Sequence, residues 1–519
     1  MGVRSRRSNS KRRRAATVSI GDSGGVGGVD LISGLNDDLL LRILYLVPDA
    51  ENVVRTHALS RRWRGLWTGV AALRFDFSSW RKICRSDAAA ERYIAFVNGA
   101  LALRATAAKE PAFVEDLAIS FDISEQETGQ LVPLSVEAAQ GWIRYAVQHA
   151  VKSFILKLML PWQWRFDLDR DDNDIEHPVM TLDEMDNNFA KMETMHLRLG
   201  GAELRLPCST VVFPSLIDLS LEDIEVPAGG GYLLSRLVSS ACCPRLHKLR
   251  LRQLSFDLST IEVLRIEADT LLELSLESMF KLQFLELRTP SLQVLHIEDS
   301  FDLNGFTVSA PRLENLRFCV QQPLHIDDVH GQLSSVGTLK IQMFSHGETD
   351  AEDRNDAGIH VLQCCRLTRC LEVSFEIPKT KYQTVDIIKG RIPLLPHVTH
   401  LAVDIKLWER HSAGPGVACL LAQCSNIKYL RLQVCYIIKK KNQSELDLLC
   451  DNNSCHWRSH EFSLDHLEKV EFKELMGTDC EFQFIQFILT KATGIRKVGG
   501  PGAIRRSWQL RPIAAIPVC

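Results

Sequence analysis

The stretch LLELSLESMFKLQFLELRTPSLQVLHI, residues 271–297, contains three copies of one short apolar pattern and decides the fold. Each copy has an apolar anchor, a second anchor three residues later and a third anchor two residues after that. Because the last two anchors alternate with a polar residue, one side of a short strand faces inward and the other faces solvent. The pattern therefore predicts one half-buried strand in each copy.

The same pattern recurs along most of the chain. Copies begin at Val151, Met192, Leu216, Leu246, Ile261, Leu271, Leu282, Leu292, Leu313, Val336, Val398, Ile427 and Leu467. The anchors at positions 271, 292, 313 and 336 are 21, 21 and 23 residues apart, which lies within the range of leucine-rich repeats. One unit cannot cover its own apolar side, so neighbouring units must stack to make a core. We therefore predict an α/β repeat protein that forms an irregular solenoid.

Four of these copies are unusually close together. Those that begin at Ile261, Leu271, Leu282 and Leu292 are only ten or eleven residues apart. This spacing leaves little room for a helix between consecutive strands. We expect strands to line both faces of the solenoid in this region.

A different pattern occupies residues 31–67, LISGLNDDLLLRILYLVPDAENVVRTHALSRRWRGLW. Asn36 and Asp37 precede an apolar run, where side-chain oxygens accept the free backbone N–H groups of a helix start. The apolar residues that follow recur at intervals of three and four, along one side of a helix that ends before Pro48: Leu39, Leu40, Ile43, Leu44 and Val47. Ser60 is placed to cap a later helix over residues 61–67. The window predicts three short helices.

This window resembles an F-box, the module that docks on the Skp adaptor of cullin-RING ubiquitin ligases. The matching residues are Leu35, Asp37, Asp38, Leu39, Ile43, Leu44 and the ending LSRRWRGLW at residues 59–67. The family usually has Pro where this chain has Asn36, so the backbone angle that Pro presets is missing, although Asn can cap the helix. The resemblance implies that the adaptor is bound by Leu35, Asn36, Leu39, Ile43, Leu44, Leu59, Ser60 and Trp63. The alternative is that Leu39, Ile43, Trp63 and Trp67 form only the core of a small helical cap.

Residues 464–498 combine a strand, a loop with Gly477 and an amphipathic helix. This segment resembles the FBD domain that ends many plant F-box proteins with leucine-rich repeats, through Leu467–Val470, Phe472, Gly477, Thr478 and the helix to Leu489. The irregular repeats of such proteins resemble residues 115–440. The resemblance implies that the FBD-like segment caps the open end of the solenoid.

These patterns divide the chain into seven parts. They are a disordered basic and Gly-rich arm (1–28), an F-box (29–70), a linker strand and helix (71–114), the leucine-rich-repeat solenoid (115–440), a polar connection (441–463), the FBD-like cap (464–498) and a tail (499–519).

Charge and cysteine usage restrict the class of protein. The formal net charge is −3, but the first 14 residues carry +7, so the remainder carries −10 and is not built to bind nucleic acid along its surface. The basic run at 11–14 is either a nuclear localisation patch or a solvated charge run. The 15 Cys follow no secretory signal, which indicates reduced thiols and a location in the nucleus, the cytoplasm or both. No uncharged apolar stretch is long enough to predict a membrane span.

Residues that would carry chemistry are sparse. The sequence has no nucleophile elbow, phosphate-binding glycine loop or metalloprotease helix, so we predict neither an enzyme nor a cofactor. Four residues come nearest to zinc spacing: Cys450, Cys455, His456 and His460. The alternative, solvated loop thiols and imidazoles, is the one we adopt, and we predict no metal site.

The resemblance thus implies a non-catalytic substrate-recognition subunit of an SCF-type cullin-RING ubiquitin ligase. Its F-box would dock on the Skp adaptor, and through it on cullin, while its repeats bind a target protein for ubiquitination. The alternative function is a leucine-rich-repeat interaction scaffold that does not act in a ligase.

Overall fold

The computed structural model describes residues 32–499, with gaps at 33, 79, 81–86, 108–114, 126–128, 150, 162–177, 183–188, 207–211, 258, 301, 321–323, 345, 348–354, 378–384, 387, 389, 408–413, 437–459 and 476–478. The predicted arm (1–28), almost all of the predicted tail and most of the polar connection therefore lie outside the described residues.

Helices occur at both ends of the described chain and between some of the strands. They are α1 (Asp37–Tyr45), α2 (Ala50–Arg55), α3 (Trp63–Leu66), α4 (Asp87–Ala107), α5 (Val132–Gln148), α6 (Gly230–Leu237), α7 (Asp356–Cys364), α8 (Gly414–Ala422) and α9 (Asp479–Thr490). Two 3-10 segments, Thr56–Ala58 and Trp67–Gly69, flank α3. Within the described ranges, no helix has the length and apolar character needed to cross a bilayer.

Most of the remaining regular structure consists of strands. They are β1 (Ala72–Asp76), β2 (Asp116–Asp122), β3 (Ser153–Met159), β4 (Val179–Thr181), β5 (Thr194–Arg205), β6 (Asp218–Val226), β7 (Lys248–Phe256), β8 (Val263–Glu267), β9 (Glu273–Glu277), β10 (Phe284–Arg288), β11 (Val294–Glu298), β12 (Gly305–Ser309), β13 (Asn315–Cys319), β14 (His325–Asp328), β15 (Thr338–Phe344), β16 (His346–Gly347), β17 (Cys370–Ile377), β18 (Val385–Asp386), β19 (His400–Leu407), β20 (Tyr429–Tyr436), β21 (Lys469–Lys473) and β22 (Lys497–Gly499).

One long parallel sheet organises the chain. Its order is β1-β2-β3-β5-β6-β7-β9-β11-β13-β15-β17-β19-β20-β21-β22, with β4 paired to β5. The sheet begins with β1, before the segment predicted as repeats, and continues through β21 and β22 in the FBD-like segment. The protein is therefore a mixed α/β chain in which strands from all of these segments pair in one sheet.

A second parallel sheet has the order β14-β12-β10-β8. From residue 263 to 328 consecutive strands alternate between the two sheets, because β9, β11 and β13 pair in the long sheet. This alternation confirms the expectation drawn from the spacing of ten and eleven residues. A small antiparallel pair, β16 and β18, was not predicted.

The anchors of the repeat pattern form the core. Nearly all of them are buried, as at Leu249, Leu251 and Leu295. The exception is Ile261, which is 70% exposed, so its prediction as an anchor is wrong. Ile261 lies before the start of β8, where the neighbouring Glu262 occupies the buried position, whereas Leu264 and Ile266 of the same copy lie in β8 and are buried.

The buried group next to Ile261 is Glu262. Its carboxylate accepts the backbone N–H groups of Gly229 at 2.8 Å and Gly231 at 3.1 Å, at the start of α6, and the hydroxyl of Thr260 at 2.6 Å. A Cβ on Gly231 would lie 2.5 Å from the Glu262 Oε2 atom. Glycine at this position therefore makes room for the carboxylate that caps the helix.

The N-terminal helices are joined to the first strands. Leu44 and Trp67 are buried and belong to the main core. The Arg74 guanidinium of β1 lies 5.6 Å from the centre of the Tyr45 ring, and the Tyr45 hydroxyl lies 3.4 Å from the Asp116 Oδ2 atom of β2. The helices are thus positioned at the β1 end of the long sheet.

Candidate functional site

Large apolar side chains are exposed on the N-terminal helices. Leu39 is 47% exposed, Ile43 45%, Leu46 74% and Leu59 68%. The first three are spaced four and three residues apart, at α1 and its C-cap, and so share one side of the helix. We call these four side chains the N-terminal apolar surface. Exposed apolar side chains on one side of a helix make this surface a candidate for protein association.

The apolar side of α1 is divided into two rows. Leu40 and Leu44 are only 1% and 2% exposed and face the protein's own interior, whereas Leu39 and Ile43 face solvent. Of the residues predicted to bind the adaptor, Leu44 is therefore a core residue with almost no surface to offer a partner in this conformation. Leu46, which the sequence prediction omitted, is signalled by its position three residues after Ile43.

The start of α1 is capped by Asn36. Its Oδ1 atom accepts the Leu39 N–H at 2.9 Å, as the sequence predicted for this position. Its backbone angles, φ −72° and ψ 165°, lie in the extended region that an N-cap residue adopts. Asn36 is exposed and the neighbouring Leu35 is half-buried. The side chain of Asn36 thus replaces, with a hydrogen bond, the conformational restraint that Pro would supply.

The third helix differs from the prediction. It begins at Trp63, its N-cap residue is Arg62, and no side chain makes a capping hydrogen bond there. The prediction that Ser60 caps this helix is therefore wrong, because two turn residues separate Ser60 from the helix start. Ser60 is exposed, and Trp63 is half-buried against the main core.

Arg62 connects the third helix to the first. Its Nε and Nη2 atoms donate to the Asp37 Oδ1 atom at 2.9 and 2.7 Å, and Nη2 also donates to the Leu35 carbonyl oxygen. Because Leu59 lies three residues before Arg62, these bonds hold its turn next to the start of α1. Sequence patterning contains no signal for this contact, since the partners are 25 and 27 residues apart.

A second candidate surface is the solvent side of the long sheet, where polar residues alternate with the buried anchors. Neighbouring strands carry opposite charges at paired positions. Arg252 of β7 lies 3.7 Å from Glu222 of β6 and 3.3 Å from Glu277 of β9, and Lys248 lies 2.9 Å from Glu273. The surface is therefore composed largely of charges that are compensated within the protein.

Asp218 shows how these neighbours act on one carboxyl group. Burial alone would raise its pKa, but the His196 imidazole at 3.2 Å and the charges of Arg250 and Lys248 outweigh burial and lower the pKa. Asp218 therefore stays ionised to lower pH than an isolated aspartate, and stabilises its cationic neighbours on the adjacent strands.

A second network lies further along the same surface. Glu372 of β17 pairs with Lys340 of β15 and lies 3.5 Å from Arg431 of β20. Burial alone would raise the pKa of Glu372, but the charges of Lys340 and Arg431 outweigh burial and lower this pKa. At Asp404, burial and the negative charge of Glu372 raise the pKa. The pKa values of these two neighbouring carboxyl groups are therefore shifted in opposite directions.

Of the four zinc candidates, the structure describes only His460. Cys450, Cys455 and His456 lie outside the described residues. His460 is described, and its Nε2 atom lies 3.6 Å from the Cys419 Sγ atom. In the described ranges no cluster of three or more His, Cys, Asp or Glu side chains could hold a metal ion. Burial raises the pKa of the Cys243 and Cys424 thiols to about 12, so these residues act as small apolar groups.

Comparison with known proteins gives a match to one domain family and matches to individual relatives. Residues 463–498 match the FBD family. A protein of Arabidopsis thaliana named as an FBD-associated F-box protein is 29% identical over 474 residues, which cover 90% of this chain and 91% of the relative. A second with that name is 22% identical over 485 residues, covering 91% of this chain and 88% of the relative. An Arabidopsis F-box/FBD/LRR-repeat protein is 55% identical over 51 residues, or 10% of this chain and 11% of the relative.

The family match agrees with the motif in the C-terminal segment of the chain. The FBD match covers the C-terminal segment in which the FBD resemblance was recognised, and the long matches extend through the repeats. The recognition made from the sequence is confirmed: this chain carries an FBD domain and resembles, over most of its length, the plant FBD-associated F-box proteins.

Proposed function

We propose that the protein is the substrate-recognition subunit of an SCF-type cullin-RING ubiquitin ligase. In this proposal α1, α2 and α3 form an F-box that docks on a Skp-type adaptor. The two parallel sheets are the faces of a leucine-rich-repeat solenoid, which binds the target protein and is closed at its end by the FBD domain. The chain itself breaks no bond.

One observation carries the proposal: the N-terminal apolar surface remains uncovered while adjacent side chains of the same helix are buried. Leu39 and Ile43 are about half exposed, although Leu40 and Leu44 beside them lie in the interior. If the helices served only as a cap, the repeats would be expected to cover both rows. An uncovered row of Leu and Ile at helical spacing fits an apolar groove on a partner.

The repeats supply the other half of the function. Side chains on the solvent side of the long sheet, such as Arg252, Glu277 and Arg431, differ in charge from one strand to another. These differences do not disturb the buried anchors beneath them. A target bound there would be held near a ubiquitin-charged enzyme. The rate of transfer would rise through effective concentration rather than through catalytic residues of this chain.

The test is a binding experiment with a purified plant Skp-type adaptor. Ile43→Asp places a carboxylate in the proposed interface, where burying an unpaired charge costs several kcal/mol, so we expect the complex to be lost. Leu103→Asp is the matched control, because Leu103 is a 59% exposed leucine on α4 and is not among the residues of the N-terminal apolar surface. This variant should bind the adaptor as the unmodified protein does.

Two results would decide against the proposal. An undiminished complex with Ile43→Asp would exclude docking through α1. Failure of the unmodified chain to bind any Skp-type adaptor, with the fold intact, would favour the interaction scaffold that does not act in a ligase.

A further inference from the structure

We propose that Arg62 is a positioning residue for the N-terminal apolar surface. It fastens the turn that carries Leu59 to the start of α1, so that Leu59 and the α1 row are presented to a partner as one surface. The identity of that partner rests on the proposed function, but the positioning itself is a property of this chain alone.

The turn has little else to hold it in place. Every residue from 57 to 62 is exposed, so no side chain of the turn is anchored in the core. The helices on either side are short, with six residues in α2 and four in α3, and helices of this length are not stable by themselves. The His57 Nδ1–H donates to the Arg64 carbonyl oxygen at 2.7 Å, a local bond that shapes the turn but does not connect it to α1.

Arg62 supplies the connection to α1. Its guanidinium makes two bonds to the Asp37 carboxylate and one to the Leu35 carbonyl, so it bridges a side chain and the backbone at the same helix end. Asp37 is itself favoured there, since a carboxylate stabilises the positive end of a helix dipole. A planar guanidinium can serve both acceptors at once, whereas a lysine ammonium has a different donor geometry.

The contact also explains how the start of α1 is fixed without proline. Asn36 caps the first turn, and Arg62 binds the residues on either side of Asn36. The backbone from Leu35 to Asp37 is therefore restrained by two sets of hydrogen bonds, one between Asn36 and the first turn of α1 and the other from Arg62. In this chain the third helix thus contributes to the geometry of the first.

The test is hydrogen exchange of peptides from residues 56–62 in the full-length protein, where the Leu59 amide donates to the Thr56 carbonyl at 2.9 Å. Arg62→Ala and Asp37→Asn should each speed exchange by about threefold to tenfold, the range expected for an exposed ion pair reinforced by a charged hydrogen bond. Because Asp37→Asn weakens only bonds that Arg62→Ala also removes, the double variant should exchange at nearly the same rate as Arg62→Ala. Arg62→Lys should restore part of the protection.

Arg61→Ala is the matched control, since Arg61 is an exposed arginine next to Arg62, and its exchange should equal that of the unmodified protein. Unchanged exchange in peptides from β9 and β11 will show that each variant is folded. Exchange in Arg62→Ala equal to that of the unmodified chain, or effects of Arg62→Ala and Asp37→Asn that simply add, would overturn the proposal.

Adaptor affinity is the second measurement on the same variants. We expect Arg62→Ala and Asp37→Asn to weaken binding by similar factors. If the adaptor does not bind even the unmodified chain, the proposed function fails, and the exchange data still decide the role of Arg62. If Arg62→Ala weakens binding while exchange is unchanged and Asp37→Asn has no effect, Arg62 contacts the partner directly, and the positioning role is refuted.

Discussion

Adjacent residues of α1 should respond oppositely to the same kind of substitution. Leu44 is 2% exposed and lies in the main core, so Leu44→Ala leaves a cavity and should cost the N-terminal region about 2–5 kcal/mol. Ile43 is 45% exposed, so roughly half of its transfer free energy is not realised in the isolated protein. Ile43→Ala should therefore cost less than about 1.5 kcal/mol of stability.

In the complex the order is reversed. Covering the exposed part of the Ile43 side chain should stabilise the complex by about 0.7–1.5 kcal/mol, roughly half of the value for full burial, so Ile43→Ala should weaken adaptor binding by about threefold to tenfold. Stability is best followed locally, by hydrogen exchange of α1 peptides, because a chain of 519 residues need not unfold in one step. Adaptor affinity is measured by calorimetry on the same samples.

The reasoning would be refuted by either of two results. If Ile43→Ala speeds α1 exchange as much as Leu44→Ala does, Ile43 is a core residue in solution. If Ile43→Ala leaves adaptor affinity unchanged, the exposed row is not the interface.

Three further substitutions test other contacts. Asn36→Ala removes the acceptor of the Leu39 N–H and should cost about 1 kcal/mol of local stability at α1, whereas Asn36→Pro fits the observed φ of −72° and should retain more adaptor affinity than the alanine variant. Asn355→Ala deprives the buried Phe344 N–H and C=O of partners at 2.8 and 2.7 Å and should destabilise β15 by about 2–4 kcal/mol, measured by exchange of β15 amides. Because the pKa of Asp218 is lowered, its ionised form stabilises the fold above the ordinary value of 3.8. This contribution disappears as the pH falls through the lowered pKa. The stability difference between the unmodified protein and Asp218→Asn, followed by urea unfolding, should therefore shrink towards about pH 3.

The strands were the part of the fold most accessible from sequence. Anchors such as Leu271, Leu274 and Leu276 recur with a fixed spacing, and each copy requires the next to cover it, so the pattern reports tertiary structure as well as local structure. The same reasoning correctly placed alternate strands in two sheets. It was wrong at Ile261, because the residue buried there is the neighbouring Glu262, whose carboxylate accepts backbone N–H groups at the start of α6, and that contact is not local in sequence.

The candidate site was only partly accessible. Helical spacing grouped Leu39, Leu40, Ile43 and Leu44 on one side of α1, but two adjacent rows on a helix have the same spacing. Packing with the main core, which includes Trp67, decides which row is buried, and that contact is not local in sequence. The contact between Arg62 and the start of α1 was missed for the same reason, while the cap at Asn36, which is local, was predicted.

The most direct test of the central claim is a hydrogen-exchange footprint of the full-length protein with and without a purified Skp-type adaptor. The account predicts that the adaptor slows exchange in peptides from residues 32–66. It also predicts that exchange in peptides from β7, β9 and β11 is the same with and without the adaptor. Protection confined to the long sheet, or no protection anywhere at saturating adaptor, would contradict the assignment of the N-terminal helices as the docking site.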